Sequence, residues 1–545
     1  MNRLPLGPKK VGGSVAKYMF AACAISVLAY AATPTLTDPN LQVTTVVSGL
    51  DQPTGIAFLG PNDFFVIEKA SGRVKRVLNG SVTATVLDLP VNSNSERGLL
   101  GIALHPSFPD NPSVYLYWTE SSTGDDSSDV TQVGNPDSPY PPGTPKPLGN
   151  RLDRFIWNPD HQTLTYAQNL IRLHAYQHDN NNPNNPNPLA AYQGNHNCGK
   201  IVFGPDGKLY VMIGDNGRRG WLQNLPLGAF IPEAPDDEFG GPAPDDNHFT
   251  GIVMRLNDDG STPADNPFFA AGDTFSGEVG ANIQKIYSYG HRNGFGLAFD
   301  PFSGNLWDSE NGDDSFDEIN RILPGGNYGW VQVMGPLERI AQFKLIEMNF
   351  FTPPDILGTL QQIRYPTTRI AYTPALALAR MFVLPGSQYV DPEFSWRYAI
   401  SPAGLGFVAG DGLGPEYNGT LWSGEARTID ITGGSTGTFA GGALFVFHLT
   451  GDRAHLDLSA DPRLADRVAD NGTYPLPIGT SAGATGYKYD GRESESLLIG
   501  QNFGITTDII TGPDGGLYLS SLTNNEIYRI SRVPQTAQET AHEDK

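Results

Sequence analysis

Apolar and polar residues alternate in short stretches along the chain, and Gly/Pro/Asn turns separate these stretches. Residues 49–77 illustrate the scheme, since a small apolar strand, a turn and an aromatic strand precede a second turn and a third strand. Alternation with a period of two predicts β-strands, and P-D-G predicts a type I or II turn. Similar units, two of them with longer turns, recur at residues 98–120, 200–215, 296–312, 403–426 and 508–530.

The six units predict an all-β fold, a six-bladed β-propeller, because radial sheets bury their faces against one another and closure hides their edges. The composition agrees, with 63 Gly, 44 Pro and only 17% charged residues. We expect a single propeller domain over residues 32–535 and a polar tail at 536–545. The repeats are interrupted by predicted loop insertions at about residues 121–150, 178–195, 222–249 and 335–390, the last partly helical.

The N-terminus has the features of an export signal. Basic residues precede the apolar run MFAACAISVLAYAA, and Ala29-Tyr30-Ala31 supplies a small-x-small cleavage pattern. We predict a signal peptide over residues 1–31, a secreted or periplasmic protein and no stable membrane insertion; an uncleaved anchor is the alternative. Cleavage would remove Cys23 and leave Cys198, so no intramolecular disulfide is expected.

The formal net charge of −22 argues against a nucleic-acid partner, because phosphates would be repelled. An acidic surface is also common in exported proteins, so the charge identifies no partner.

One candidate base stands directly before a repeat strand. His196 lies in GNHNCGKIVFGPDGKLYVMIGDNG, where an imidazole could act as a general base or simply bond a loop carbonyl. The loop after this hairpin contains Asp215, Arg218 and Arg219, which could hold an anionic ligand or form a solvated turn.

A second polar hairpin is GHRNGFGLAFDPFSGNLWDSENG, residues 290–312. Arg292 offers a rigid fork of donors for carboxylate or quinone oxygens. The loop after Trp307 is rich in the hard oxygen ligands that calcium takes, although it lacks the EF-hand spacing.

Five segments in order resemble the soluble quinoprotein glucose/sorbosone (aldose sugar) dehydrogenase family: ERGLLGIALHPSFPDNP, HNCGKIVFGPDGKLYVMIGD, GIVMRLNDDGSTPADNPF, KIYSYGHRNGFGLAFDP and DEINRILPGGNYGW. The resemblance covers roughly residues 45–335 well and 395–532 loosely. It implies a six-bladed propeller that uses pyrroloquinoline quinone (PQQ) with calcium and oxidises a small-molecule sugar or alcohol, with an undefined electron acceptor.

The resemblance also implies a role for each matching residue. His196 would take the hydroxyl proton from the sugar, and backbone carbonyls of Gly312 and Asp313 would hold the calcium that polarises the quinone. The remaining implied roles are cofactor binding by Arg292, Asn293, Asn311 and Arg427, a second structural calcium at Glu318 and Tyr328, and substrate contacts by Asn195 and Trp396.

The sequence departs from the family at the cofactor's cation partners. Ile505-Thr506-Thr507-Asp508 stands where the family has an R-x-R pair that would face the cofactor carboxylates. Arg427 is the nearest cation to a family lysine, and Arg218, Arg219 and Arg397 are possible substitutes.

Three functions remain open on the sequence. The first is a quinoprotein-like oxidoreductase acting on an aldose or related alcohol. The second is a calcium-dependent lactonase or hydrolase in which His196 activates water. The third is a non-catalytic propeller that binds a carbohydrate or a protein.

Overall fold

A computed structural model describes residues 33–130, 132–133, 149–173, 175, 195–216, 250–275, 277–349, 370–426, 428–430, 439–469 and 491–534. The predicted signal peptide, the 222–249 insertion and the 536–545 tail lie outside these residues. The same holds for the 178–195 insertion except Asn195, and for Arg218, Arg219 and Arg427.

Strands dominate the described residues, as the alternating pattern predicts. In chain order they are β1 (Thr35–Leu36), β2 (Leu41–Val47), β3 (Pro53–Gly60), β4 (Asp63–Glu68), β5 (Arg73–Leu78), β6 (Ser81–Asp88), β7 (Leu99–Leu104), β8 (Ser113–Thr119), β9 (Asn150–Asn158), β10 (Thr163–Leu173), β11 (Ile201–Phe203), β12 (Leu209–Ile213), β13 (Ile252–Leu256), β14 (Ile286–Tyr289), β15 (Gly294–Phe299), β16 (Leu306–Glu310), β17 (Ser315–Ile322), β18 (Gly326–Asn327), β19 (Gln388–Tyr389), β20 (Phe394–Tyr398), β21 (Pro402–Phe407), β22 (Leu421–Glu425), β23 (Thr428–Asp430), β24 (Phe439–Gly441), β25 (Leu444–Leu449), β26 (Leu456–Asp457), β27 (Val468–Ala469), β28 (Leu498–Gln501), β29 (Thr506–Thr511), β30 (Leu517–Ser521) and β31 (Glu526–Arg532).

Within the described residues these strands form six sheets of four or more strands and a two-stranded ribbon, β23–β24. Sheet 1 is β3-β4-β5-β6 and sheet 2 is β7-β8-β9-β10. Sheet 3 is β11-β12-β13-β14 extended by β18 and β19, and sheet 4 is β15-β16-β17-β20 extended by β27. Sheet 5 is β21-β22-β25-β28 with β1 and β26, and sheet 6 is β29-β30-β31-β2.

The first strands of the sheets, β3, β7, β11, β15, β21 and β29, contact one another in chain order, and β29 returns to β3. The ring is closed by the N-terminal strand β2, which pairs antiparallel with the C-terminal strand β31. A closed ring of this kind leaves no long open sheet edge at its axis. The prediction of an all-β propeller is therefore confirmed.

Large aromatic side chains fill the space between neighbouring sheets. Phe65 of sheet 1 packs edge-on against Trp157 of sheet 2, with ring centroids 4.9 Å apart. Trp396 of sheet 4 is fully buried and packs against Phe445 and Phe447 of sheet 5. Burying a side chain of this size stabilises the fold by roughly 1.5–3 kcal/mol, so these contacts fix each sheet against the next.

The helices lie mainly in the predicted 335–390 insertion. α3 (Ile340–Asn349) and α4 (Pro374–Arg380) belong to it, whereas α1 (Phe269–Gly272) and α2 (Gly277–Ile283) precede β14. Short 3-10 turns occur at Leu337–Arg339, Pro462–Leu464 and Glu495–Leu497. Among the helices that the structure describes, none has the length and apolar character that crossing a bilayer requires.

Candidate active site

A polar cavity of about 550 Å³ opens where the six first strands begin. Each of these strands contributes a lining residue at its beginning. Lys200 directly precedes β11, and the second residues of the other five strands are Thr54, Leu100, Phe295, Ala403 and Thr507. The volume lies within the range of small-ligand sites. Because all six strands run away from this cavity, the loops that enter them can meet a ligand on the axis.

His196 lines this cavity and is held by a carboxylate. Its Nδ1 lies 2.5 Å from Oδ1 of Asp215, whose Oδ2 accepts a hydrogen bond from Nε1 of Trp330 at 2.9 Å. An Nδ1–H bonded to a carboxylate leaves Nε2 as the ring nitrogen that can accept a proton. Asp215, predicted as part of an anion-binding or solvated loop, therefore orients the candidate base.

The backbone of His196 is hydrogen-bonded to the loop that precedes β7 of the neighbouring sheet. The His196 amide donates to Oε2 of Glu96 at 2.5 Å, and Glu96 lines the same cavity. His196 has a positive φ of 59°, a conformation that few residues adopt. Strain of this kind is often retained where it positions a functional side chain.

Arg292 lies in the cavity wall, buried among oxygen acceptors. Its Nη1 donates to the carbonyls of Asn311 at 3.0 Å and Gly312 at 2.5 Å, and its Nη2 donates to Oδ1 of Asp313 at 2.8 Å. Burial alone would lower the pKa of Arg292, but the surrounding carboxylates, Asp313 foremost, raise it above its ordinary value. The guanidinium thus remains charged and already contacts the Gly312 carbonyl that the family resemblance gives to calcium.

Asp317 organises the loop beside Arg292. Its carboxylate accepts hydrogen bonds from the amides of Gly312 at 2.7 Å, Ile400 at 2.5 Å and Ser401 at 2.6 Å. Asp317 therefore joins the exit of one hairpin to the entry of the next and fixes the carbonyls that face the cavity.

The structure brings most of the predicted site residues together. Asn195 accepts from Ser95 Oγ at 2.6 Å, Asn293 donates to Glu96 at 3.4 Å, and Asn311 donates to the Pro402 carbonyl at 2.6 Å. The predicted residues that line the one cavity are Asn195, His196, Arg292, Asn293, Asn311, Gly312 and Asp313.

Trp396 is placed elsewhere. It was predicted to form an aromatic wall against the sugar, but it has no exposed surface and lies in the core between sheets 4 and 5. Alternation along β20 turns its side chain toward that core, so Trp396 packs between the sheets and does not line the cavity. Arg397 does not line it either, and Arg427 lies outside the described residues.

Glu318 and Tyr328 lie in a separate buried cluster. Glu318 accepts from the Gly335 amide at 2.6 Å and from Asn320 at 3.1 Å, and Tyr328 stacks on His291 with centroids 4.5 Å apart. One ligand atom each of His291, Asp308 and Glu310 falls within 4.8 Å of the others. Burial, followed by neighbouring carboxylates, raises the pKa of both Asp308 and Glu318.

Three further charged residues of the cavity received no predicted role, although Glu96 and Lys200 lie in segments that carry the family resemblance. Lys69, Lys200 and Glu96 all line the cavity. Burial lowers the pKa of Lys69 to about 8, and Lys200 pairs with Asp508 at 2.9 Å. Both lysines lie in repeat units, where the sequence gives no reason to separate them from ordinary solvated turn residues. Their place at the axial cavity becomes visible only once the sheets are arranged in a ring.

These observations define an axial-cavity propeller with a carboxylate-held histidine. The sequence profile of the family described as Glucose / Sorbosone dehydrogenase matches residues 50–138 and 184–338. These residues match the glucose/sorbosone dehydrogenase family, as the sequence motifs predicted.

Two curated relatives illustrate the similarity. Quinoprotein glucose dehydrogenase B of Acinetobacter calcoaceticus is 35% identical over 304 residues, 54% of this chain and 53% of that protein. The chain thus spans about half the length of this relative. Aldose sugar dehydrogenase YliI of Escherichia coli strain K12 is 28% identical over 384 residues, 70% of this chain and 77% of that protein.

A solved structure shares the fold. The apo-form of the soluble aldose sugar dehydrogenase from Escherichia coli aligns with a TM-score of 0.53 at 20% identity. The alignment covers 90% of this chain and 100% of that one.

Proposed function

We propose that this chain is a secreted or periplasmic quinoprotein-like oxidoreductase that oxidises an aldose sugar or a related alcohol, with PQQ and calcium as cofactors. The observation that supports it most is the His196–Asp215 pair in a polar axial cavity that Arg292 also lines. The relatives named for glucose and aldose sugar oxidation point to the same substrate class.

We also propose that the propeller has six blades. Each of the six sheets is one blade, because each contributes its first strand to the ring and its strand-entry residue to the cavity. A ligand on the axis would then contact all six blades.

His196 is the proton acceptor in the proposed reaction. The substrate hydroxyl transfers its proton to Nε2, while the Asp215 carboxylate stabilises the imidazolium that forms. The hydride leaves the same carbon, so the alcohol becomes a carbonyl or, from an aldose, a lactone. PQQ, when bound, supplies the acceptor for that hydride, and calcium acts on it as a Lewis acid.

Three cations of the cavity are candidates to bind an anionic, oxygen-rich cofactor. Lys69, Lys200 and Arg292 bring positive charge from three different sheets, and these would face the carboxylates of PQQ. They take the place of the R-x-R pair, since Ile505 and Thr507 line the cavity at that position. Gly312 and Asp313 supply the hard oxygens that calcium prefers, and Asn293 and Asn311 supply amides.

The buried cluster around Glu318 fits a structural cation. Both carboxylate oxygens of Asp308 lack a hydrogen-bond partner among the described residues, and Asp308 has no exposed surface. A buried carboxylate whose ion-pair partner, Nδ1 of His291, lies 3.7 Å away is costly, and a cation held by Glu318 with its neighbours would reduce that cost. We therefore propose a second, structural calcium at Glu318, with Tyr328 beside it.

Reconstitution tests the function. Purified apoprotein with calcium and PQQ should shift the quinone absorbance and reduce a dye when aldoses are added. Absence of both the spectral change and thermal stabilisation would overturn the proposal, because a ligand that binds the native state raises its stability. Calcium-dependent hydrolysis of lactones without dye reduction would overturn it in favour of a hydrolase.

A further inference from the structure

The inserted helix α3 brings a buried carboxylate to the cavity wall. Phe343 and Ile346 of this helix are buried in a cluster with Phe316 and Trp330. Glu347 lies one turn after Phe343, and residues four apart share a helix face. Its side chain is therefore carried inward with the apolar anchors, and it is only 1% exposed.

Glu347 meets two aspartates of the loop before β17. Its Oε1 accepts from the Asp314 amide at 3.1 Å and from Ser315 Oγ at 2.6 Å. One carboxylate oxygen each of Asp313, Asp314 and Glu347 lies within 4.8 Å of the others, and all three residues are buried.

The second oxygen of Glu347 points to a missing ligand. Among the described residues Oε2 has no hydrogen-bond partner, although it is buried. Burial, and then the charges of Asp313 and Asp314, raise the pKa of Glu347. An acceptor in this setting calls for a donor or a cation.

The spacing of the three oxygens fits a calcium ion. Calcium–oxygen distances are about 2.3–2.6 Å, so two ligands on opposite sides of one ion lie about 4.6–5.2 Å apart. Magnesium, at about 2.0–2.1 Å, would draw opposite ligands to about 4.2 Å. Carboxylate oxygens that all lie within 4.8 Å of one another are close enough to share one calcium ion.

From these observations we infer that the side chains of Asp313, Asp314 and Glu347 form a calcium-binding site that fastens helix α3 to the cavity wall. It differs from the sites that the family resemblance implies, because its ligands are side-chain oxygens and one of them comes from the 335–390 insertion. Since Asp313 also binds Arg292, the ion fixes the position of a cavity-lining cation. The inference does not rest on the proposed oxidation.

Calorimetric titration of chelator-treated protein with calcium, without quinone or sugar, tests the inference. The Glu347→Gln variant should bind one calcium ion fewer than the wild type. It should also lack part of the calcium-induced rise in melting temperature, about 2–3 °C for a site filled at 100 times its Kd. The matched control is Glu338→Gln, an exposed glutamate just before α3, which should behave like the wild type.

The outcomes are distinct. Unchanged stoichiometry and unchanged calcium response in Glu347→Gln would overturn the site, and so would an equal loss in Glu338→Gln. If circular dichroism shows that Glu347→Gln is unfolded, Asp314→Asn decides by the same two readouts. Failure of sugar oxidation would leave these measurements unaffected, so the two proposals fail separately.

Discussion

Two cavities lie along the same six strands but are lined by different kinds of side chain. At the strand starts the cavity is lined by His196, Arg292, Lys69 and Glu96. Further along the same strands a second cavity of about 700 Å³ is lined almost entirely by Gly, Ala, Val, Ile, Leu, Phe and Pro. The Lys200–Asp508 ion pair lies where the two cavities adjoin, since Lys200 lines both.

The difference between the two cavities shows which positions of the fold can carry functional side chains. Strand interiors must pack against neighbouring sheets, so their residues are fixed by the core. The loops that enter the strands are free of that constraint and carry the buried polar contacts of His196 and Arg292. We therefore expect substitutions in the polar cavity to change activity. Substitutions in the core or in the apolar cavity should change stability or have no measurable effect.

The largest expected effect is on catalysis by His196. Replacing His196 with Ala should reduce turnover by about 100-fold to 10,000-fold, because general-base catalysis contributes rates of that order. PQQ binding should change little, since in the proposed reaction the imidazole acts on the substrate proton. Steady-state dye reduction and quinone titration measure the two quantities. The exposed His161→Ala serves as the control, and near-normal turnover in His196→Ala would mean that another group is the base.

The next largest effect concerns the core. Trp396→Ala should lower the free energy of unfolding by about 3–5 kcal/mol, as large-to-small changes in a packed core do. KM for the sugar should stay within a few-fold of the wild type, because Trp396 does not line the cavity. Denaturant unfolding and steady-state kinetics separate the two effects.

The exposed Phe302→Ala is the matched control for Trp396→Ala, with an expected loss of about 1 kcal/mol or less. A large rise in KM for Trp396→Ala without loss of stability would restore the sugar-wall assignment.

Adding an arginine to each cavity in turn tests the difference between them. Ile505→Arg adds a cation where the family has its arginine pair, and we expect PQQ affinity to rise about tenfold, equivalent to about 1.4 kcal/mol. Ile510→Arg adds the same group in the apolar cavity and should not improve binding. Equal gains from both variants would show that general charge, rather than the polar cavity, governs affinity.

The smallest expected effect is a pH dependence set by Lys69. Its pKa of about 8 means that the lysine loses its proton as pH rises through 8, so PQQ affinity should fall a few-fold between pH 7 and pH 9. Lys69→Gln should remove that dependence in the same titration. The unfolded chain holds this proton up to about pH 10.5, so Lys69 makes the folded protein more stable as pH rises from 8 toward 10.

Much of the fold was predictable because propeller repeats are local patterns. The P-D-G turns and alternating strands predicted the sheets, and the GHRN and NHNCGK motifs predicted His196 and Arg292. Trp396 was misplaced, because alternation shows that a side chain faces one side of a strand but not which side meets the ligand. The roles of Lys69, Lys200 and Glu347 were not predicted, because they depend on contacts between segments far apart in the chain.

A crystal structure of the protein with PQQ and calcium tests the proposed site most directly. We expect electron density for the quinone in the polar cavity, within contact of His196 and Arg292, and none in the apolar cavity. Quinone density in the apolar cavity or on the outer surface, with the polar cavity filled only by water, would contradict this expectation.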